Sequence, residues 1–353
     1  MADYLKLGIV VLYAIFAVDI PLFPTDGICS SSCSVAHFAT MHDGFRYGLP
    51  LQVERNGLVM AKTSVPIQRK DVRDRIIKEI NYLLQDRRSR VLVWLARADS
   101  LGPMIERILR KYDLPVEFIY LAAIESSYNS RSLSSAGAYG YWQFIKSTAV
   151  CGPSGCPQYD WRMNITDWKD ERADLANSTH SAAKYLAWLN RVKKISLNGQ
   201  PERDGFNDWF LTAAAYNAGP TRVVERLNAF GASSYWDVPL PPETERYVPR
   251  WIALWLISKN RDFYDVRIPP RGPVAFDTIE KIRLQKDLSF AAIATLLDTT
   301  PRAIWSLNTE ISPEKGVFPA RSGRRAIEHR INVPRGTRSK LLAQLAAHGY
   351  TKK

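Results

Sequence analysis

Apolar positions three and four residues apart dominate this chain, and strand-like alternation is scarce. Between residues 71 and 98, Ile76, Ile80, Leu83, Leu84, Val91, Leu92 and Leu95 recur among charges, the stripe of one or two amphipathic helices. Gly102-Pro103 predicts a break and a new helix over 103–112. Pro115 predicts the first position of the next, and Phe118, Leu121, Ala122 and Glu125 then share one face. Further helices are expected over 146–150, 175–192, 208–217, 221–230 and 245–260. The chain is therefore expected to be mainly α to about residue 262. From Phe263 it shifts to IPPRGP and then to short apolar segments and basic turns, the mark of a separate unit.

At the start, residues 7–18 (LGIVVLYAIFAV) form an uncharged apolar run behind Lys6. A bilayer-crossing helix takes about 20 residues, so this run is too short to span and has the size of a secretory hydrophobic region. The other reading is a buried core helix, but the Ser- and Cys-rich chain behind it has no periodicity to pack one. Export to the periplasm is expected, with Ser34-Val35-Ala36 the best match to a cleavage site. The four cysteines fall in two close pairs, Cys29 with Cys33 and Cys151 with Cys156. The turn CGPSGC can bring Cys151 and Cys156 together as a disulfide, which suits an oxidising compartment. Zinc is the competing reading and needs both pairs to meet, so no metal is expected.

Composition changes the picture in one respect. A chain of 353 residues with 46% hydrophobic and 24% charged residues is neither disordered nor fibrous. Its 48 Lys+Arg against 35 Asp+Glu leave a net charge of +13, which points to an anionic partner. Residues 263–353 hold 16 Lys+Arg and 8 Asp+Glu, so most of the excess lies in the last quarter. Arg321, Arg324 and Arg325 stand there without a recognition helix or interleaved stacking aromatics, so nucleic acid is not the expected partner.

Glu125 is the candidate for chemistry. It closes the apolar helix FIYLAAIE, and no other Asp or Glu follows within the 34 residues from Ser126 to Tyr159. The negative end of a helix dipole and an apolar wall both disfavour its charged form, which suits a general acid near neutrality. A solvated helix-terminal Glu is the plain alternative.

The surrounding motifs resemble those of the lysozyme-like lytic transglycosylases, the Slt family. They are Glu125-Ser126, the run from Ser134 to Phe144 (SSAGAYGYWQF), and Ala215-Tyr216-Asn217-Ala218-Gly219. DERADLANST from Asp170, AAKYL from Ala182 and PETERYVP from Pro242 look like the membrane-bound lytic transglycosylase D branch. The resemblance implies that Glu125 protonates the glycosidic oxygen between N-acetylmuramic acid and N-acetylglucosamine in peptidoglycan. The carboxylate then takes the proton of the muramoyl C6 hydroxyl as it attacks C1, giving a 1,6-anhydro end without water. One carboxyl that changes role meets that need, whereas most glycosidases use two. The resemblance assigns substrate binding to Ser126, Ser134, Gln143, Phe144, Tyr216, Asn217 and Tyr247. Phe144 and Trp142 are equally readable as core, and Asn217 as a helix-end cap. Tyr141, where the family has Leu, and the CGPSGC insertion are departures near the expected groove.

Leu288 to Ala294, Thr299-Thr300-Pro301, Leu307-Asn308 and INVPRG from Ile331 look like a degenerate LysM module, a small α+β unit of order βααβ that binds glycan. The usual Gly-Asp-Thr opening is replaced by LQKD. The expected division is a signal and N-terminal stretch over 1–36, amphipathic helices over 37–110, a catalytic domain over 111–262 and the basic unit over 263–353. The expected partners are peptidoglycan strands, with association to membrane or wall-spanning assemblies, and no cofactor. The rivals are a lysozyme-type hydrolase, for which Asp160, Asp167 or Asp170 would position water, and a wall-binding scaffold without turnover.

Overall fold

The N-terminal helices bury the stripe that their sequence announces. In a computed structural model that describes residues 47–151, 161–191, 193–197, 199, 202–269 and 271–352, α1 (Leu51–Asn56) leads into the hairpin of β1 (Leu58–Met60) and β2 (Thr63–Val65). Then α2 (Lys70–Asn81) buries Val72, Ile76 and Ile80, and a π turn over Tyr82–Asp86 buries Leu83 and Leu84. The apolar run 7–18, Cys29, Cys33, Cys156 and Asp160 lie outside the described residues.

The expected break at Gly102-Pro103 does not occur. A single helix, α3 (Arg88–Lys111), runs through Pro103. Pro103 has no N–H for the Asp99 carbonyl, yet Val91, Leu95, Gly102, Ile105, Ile108 and Leu109 continue as one buried stripe, whose burial outweighs one lost hydrogen bond.

After a 3-10 turn over Val116–Phe118 comes α4 (Ile119–Ser126), and Pro115 caps the turn from outside instead of opening the helix. The rest of this body holds α5 (Lys146–Cys151), α6 (Leu175–Arg191), the short pair β3 (Lys194–Ile195) and β4 (Arg203–Asp204), α7 (Trp209–Ala218), α8 (Pro220–Phe230) and α9 (Pro242–Lys259). The expected helices are present within a few residues, except that α9 starts at Pro242, where Pro at the first turn gives up no bond. One hydrophobic core from Leu49 to Val266 joins the N-terminal helices to the rest.

The C-terminal unit has its own core. It runs β5 (Phe276–Arg283), β6 (Leu288–Ser289), α10 (Phe290–Leu297), α11 (Pro301–Leu307), β7 (Val317–Phe318), β8 (Arg321–Ser322), β9 (Arg325–Ala326), β10 (Glu328–Pro334) and α12 (Arg338–Ala347). Strands β5 and β10 pair antiparallel around the two helices, the expected βααβ order, and α12 and the small pairs β6–β7 and β8–β9 are added to it. Its 309–312 turn is bonded to the helical body. Thr309 Oγ1 donates to the Ala173 carbonyl at 2.6 Å, the Asp170 amide to Glu310 at 2.8 Å, and the Ser312 amide to Trp168 at 2.9 Å. Beside them Arg330 donates to Asp174, which is 3% exposed, and to Asn177 at 3.3 Å. Burial pushes the Glu310 carboxyl in this contact up to about 7.

Removing one partner of a buried ion pair leaves the other charge without compensation. Arg330→Ala is therefore expected to lower the unfolding free energy by about 3 kcal/mol, read as a drop in denaturant midpoint. A midpoint equal to that of the parent would show that this contact does not hold the two bodies together.

Candidate active site

Three helices and one loop converge on Glu125. The carboxyl stands in the last turn of α4, whose end is fixed by Ser127 in the left-handed region (φ 58) with its amide on the Ala123 carbonyl at 2.8 Å. Tyr128 (φ 54) and Gln143 (φ 51) are also left-handed, so this turn and the loop facing it hold uncommon conformations for residues with a Cβ.

From α9, the Tyr247 hydroxyl donates to Glu125 Oε1. Oε1 being engaged, the neutral acid carries its proton on Oε2. From α7, the Tyr216 hydroxyl donates to the Trp142 carbonyl at 2.7 Å. Burial first, then the Glu125 carboxyl, hold both phenols well above their ordinary range, so both stay donors. Ser126 Oγ donates to the Tyr141 carbonyl at 2.8 Å and receives the Asn129 amide at 3.2 Å, which ties the loop to the end of α4.

Burial pushes the Glu125 carboxyl up to about 7; the Tyr247 hydrogen bond opposes the shift and the charge of Glu243 adds to it. Burial wins because a carboxylate loses its hydration and receives one phenol in return. The side chain remains half-buried, so a ligand can reach it.

The other expected site residues divide. Asn217 Oδ1 receives the Thr244 hydroxyl at 2.8 Å and its Nδ2 reaches Glu243 at 3.5 Å, so it links the end of α7 to the first turn of α9. Ser134 Oγ receives the Ala138 amide at 3.0 Å, and Gln143 Nε2 donates to the Ser132 and Gly140 carbonyls at 2.9 Å each. Both therefore brace the loop. Phe144 does not offer a platform to a sugar: at 4% exposure it packs edge-on against Tyr216. Trp142 is likewise core, fully buried with its Nε1 on Thr179 at 2.9 Å. Gly140 (φ 83) passes so close to the Arg172 carbonyl that any Cβ would overlap it. Of the Cys151–Cys156 pair, Cys156 lies outside the described residues.

Glu243 and the arginines of the N-terminal helix were missed from sequence. Glu243 stands one helical turn before Tyr247, so their spacing was a signal. Arg97 is far from every motif; it donates to the Ser127 carbonyl at 2.6 Å. A cavity of about 280 Å³ opens beside Glu125 between α3 and the 126–132 turn. A larger depression of about 550 Å³, on the C-terminal unit by Lys281, Arg283 and Arg321, is lined by no carboxylate. Among the described residues no cluster of His, Cys, Asp or Glu could hold a metal, and no helix is long and apolar enough to cross a membrane.

Residues 103–238, which contain Glu125 and the loop and helix facing it, match the transglycosylase SLT domain family. This part of the chain is an SLT domain. Two curated relatives, both membrane-bound lytic murein transglycosylase D, from Escherichia coli strain K12 and strain O6:H1, are each 30% identical over 219 residues. The alignment covers 61% of this chain and 43% of each relative, so the chain spans less than half their length. A putative tributyltin chloride resistance protein of Alteromonas sp. strain M-1 is 28% identical over 139 residues, 39% of this chain and 57% of that one. The solved 70 kDa soluble lytic transglycosylase of Escherichia coli overlaps 54% of this chain and 30% of its own at 18% identity and TM-score 0.31.

The SLT domain keeps its acid at a cost in stability. The folded value near 7 lies above the ordinary 4.5, so the group costs nothing below about pH 4.5 and its full penalty above pH 7. Glu125→Gln is expected to stabilise the fold by about 3 kcal/mol at pH 8 and negligibly at pH 4, measured by denaturant unfolding; equal gains at both pH values would refute the assignment. By carboxyl NMR titration, the Glu125 midpoint is expected to fall in Glu243→Gln and to rise in Tyr247→Phe, because the first removes a repelling charge and the second a bond to the anion.

Proposed function

We propose that this protein is an exported lytic transglycosylase that cleaves the β-1,4 bond between N-acetylmuramic acid and N-acetylglucosamine of peptidoglycan and leaves 1,6-anhydro ends. The observation that carries the reading is the state of Glu125: a carboxyl poised near neutrality, held by one phenol, inside an SLT domain.

Glu125 Oε2 gives its proton to the glycosidic oxygen as the C1–O bond breaks, and the bond electrons leave with the N-acetylglucosamine oxygen. The acetamido oxygen of the same muramoyl residue closes on C1 and takes the place of an enzyme nucleophile. The Glu125 carboxylate then removes the proton of the C6 hydroxyl while O6 bonds to C1 and the acetamido oxygen departs. No water is consumed and the acid is regenerated. A value near 7 suits a group that must give and take the same proton, and the Tyr247 hydroxyl steadies its charged phase.

The hydrolase reading needs a second carboxylate to position water. Asp170 is engaged by the Arg172 guanidinium at 2.7 Å and by its amide at 3.0 Å, Asp167 is exposed, and the carboxylate that acts electrostatically on Glu125 is Glu243. Peptidoglycan strands as partner, the periplasm as compartment and association with membrane or wall-spanning assemblies belong to the same proposal. The LysM-like unit is assigned glycan binding on its sequence resemblance.

Mass spectrometry of muropeptides released from purified peptidoglycan tests the reading. Products lighter by one water than hydrolytic muropeptides, absent with Glu125→Gln and retained with Glu243→Gln, are expected. Reducing-end products of normal mass that disappear with Glu243→Gln would select the hydrolase.

A further inference from the structure

The cavity beside Glu125 is unusually basic for a site built around one neutral acid. Four guanidinium groups line it, those of Arg87, Arg90, Arg97 and Arg250. For Arg90 and Arg97 no carboxylate partner lies among the described residues. Arg250 Nε reaches the buried Glu79 carboxylate at 2.8 Å, and Arg246 engages the same carboxylate at 2.6 Å. Arg97 is half-buried and bonds a carbonyl, with no carboxylate partner among the described residues, and burial lowers its proton affinity. Arg90 is exposed and makes no hydrogen bond or ion pair among them. A second, independent feature is Trp94, which lines the same cavity at 5% exposure and whose buried Nε1 has no acceptor. A half-buried guanidinium without a carboxylate and a buried indole N–H without an acceptor both leave this wall of the cavity short of negative charge.

We infer that the arginine-lined end of this cavity is a carboxylate subsite for the substrate strand. Guanidinium groups match carboxylates in planar, charge-assisted pairs, and the strand's sugars are neutral, its carboxylates lying on the peptide stem or, where the stem has been removed, on the lactyl group. The subsite accordingly selects the muramoyl residue next to Glu125 and fixes which bond meets the acid. The inference rests on the transglycosylase reading for the identity of the strand, while the presence of an anion subsite is tested by binding alone.

The test is calorimetric binding to the full chain carrying Glu125→Gln, with and without Arg90→Glu. The probes are soluble stem-bearing glycan strands, amidase-denuded strands whose lactyl carboxylates are free, and a neutral N-acetylglucosamine oligomer. Arg90→Glu is expected to weaken stem-bearing strands about tenfold and leave the neutral oligomer unchanged, with Arg90→Lys restoring most of the affinity. A loss confined to stem-bearing strands identifies a stem carboxylate, a loss confined to denuded strands identifies the lactyl carboxylate that the amidase frees, and a loss on both shows that the subsite accepts either. Unchanged affinity for both anionic strands, or an equal loss on the neutral oligomer, overturns the subsite. A parent protein that releases no anhydro products while these affinities follow the expected order would refute the transglycosylase reading and leave the subsite standing.

Discussion

The contact between the Tyr247 phenol and the Glu125 carboxyl governs this structure. A carboxyl in the last turn of an apolar helix is stable only when neutral or when a donor meets its charge, and here a single donor meets it. That balance requires α4 and α9 to be held in fixed relation. Phe118 stacks on Trp251 at 4.7 Å, Trp251 Nε1 donates to Glu117 at 2.8 Å, and α7 packs against α9 behind them. The Tyr216 hydroxyl could have been a second donor to the acid, but it is spent on the Trp142 carbonyl and fixes the loop instead.

Around that contact the molecule is arranged in supports of supports. Ser126 holds the carbonyl of Tyr141, and the Tyr141 phenol, whose proton burial retains, meets Thr309 of the C-terminal unit. Gly140 lies against Arg172, whose guanidinium bonds the Phe144 carbonyl at 3.0 Å and pairs with Asp170, itself bonded to Glu310. The basic C-terminal unit, set apart by composition, is thus bonded to the strand of chain that shapes the wall of the site. Its +8 charge and the arginines of α3 lie on different parts of the molecule.

Particular residues show where sequence reasoning reached its limit. The apolar stripe of α3 was legible, but Gly102-Pro103 suggested an end that burial on both sides of it overrode. Phe144 and Trp142 carried two readings because an aromatic residue in a motif has the same composition as one in a core; which it is depends on what covers it. Gln143 and Ser134 lie where the family places substrate donors, yet their side-chain hydrogen bonds go to neighbouring backbone, a partition that no spacing encodes. Glu243 was within reach of a helical-face argument. Arg97 and Trp94 were not, since they sit on a helix that reaches the acid only after folding.

By itself the sequence determined the helical class, the positions of most helices and the lone acid Glu125, because these follow from local periodicity and from the absence of other carboxyls nearby, while the βααβ order of the basic unit came from its resemblance to LysM modules. Only the tertiary structure decided that the acid titrates near 7, that one phenol answers it, and that arginines from an upstream helix surround its cavity. The reason is that desolvation and charge pairing act through space, between α3, α4 and α9, whose residues stand far apart along the chain.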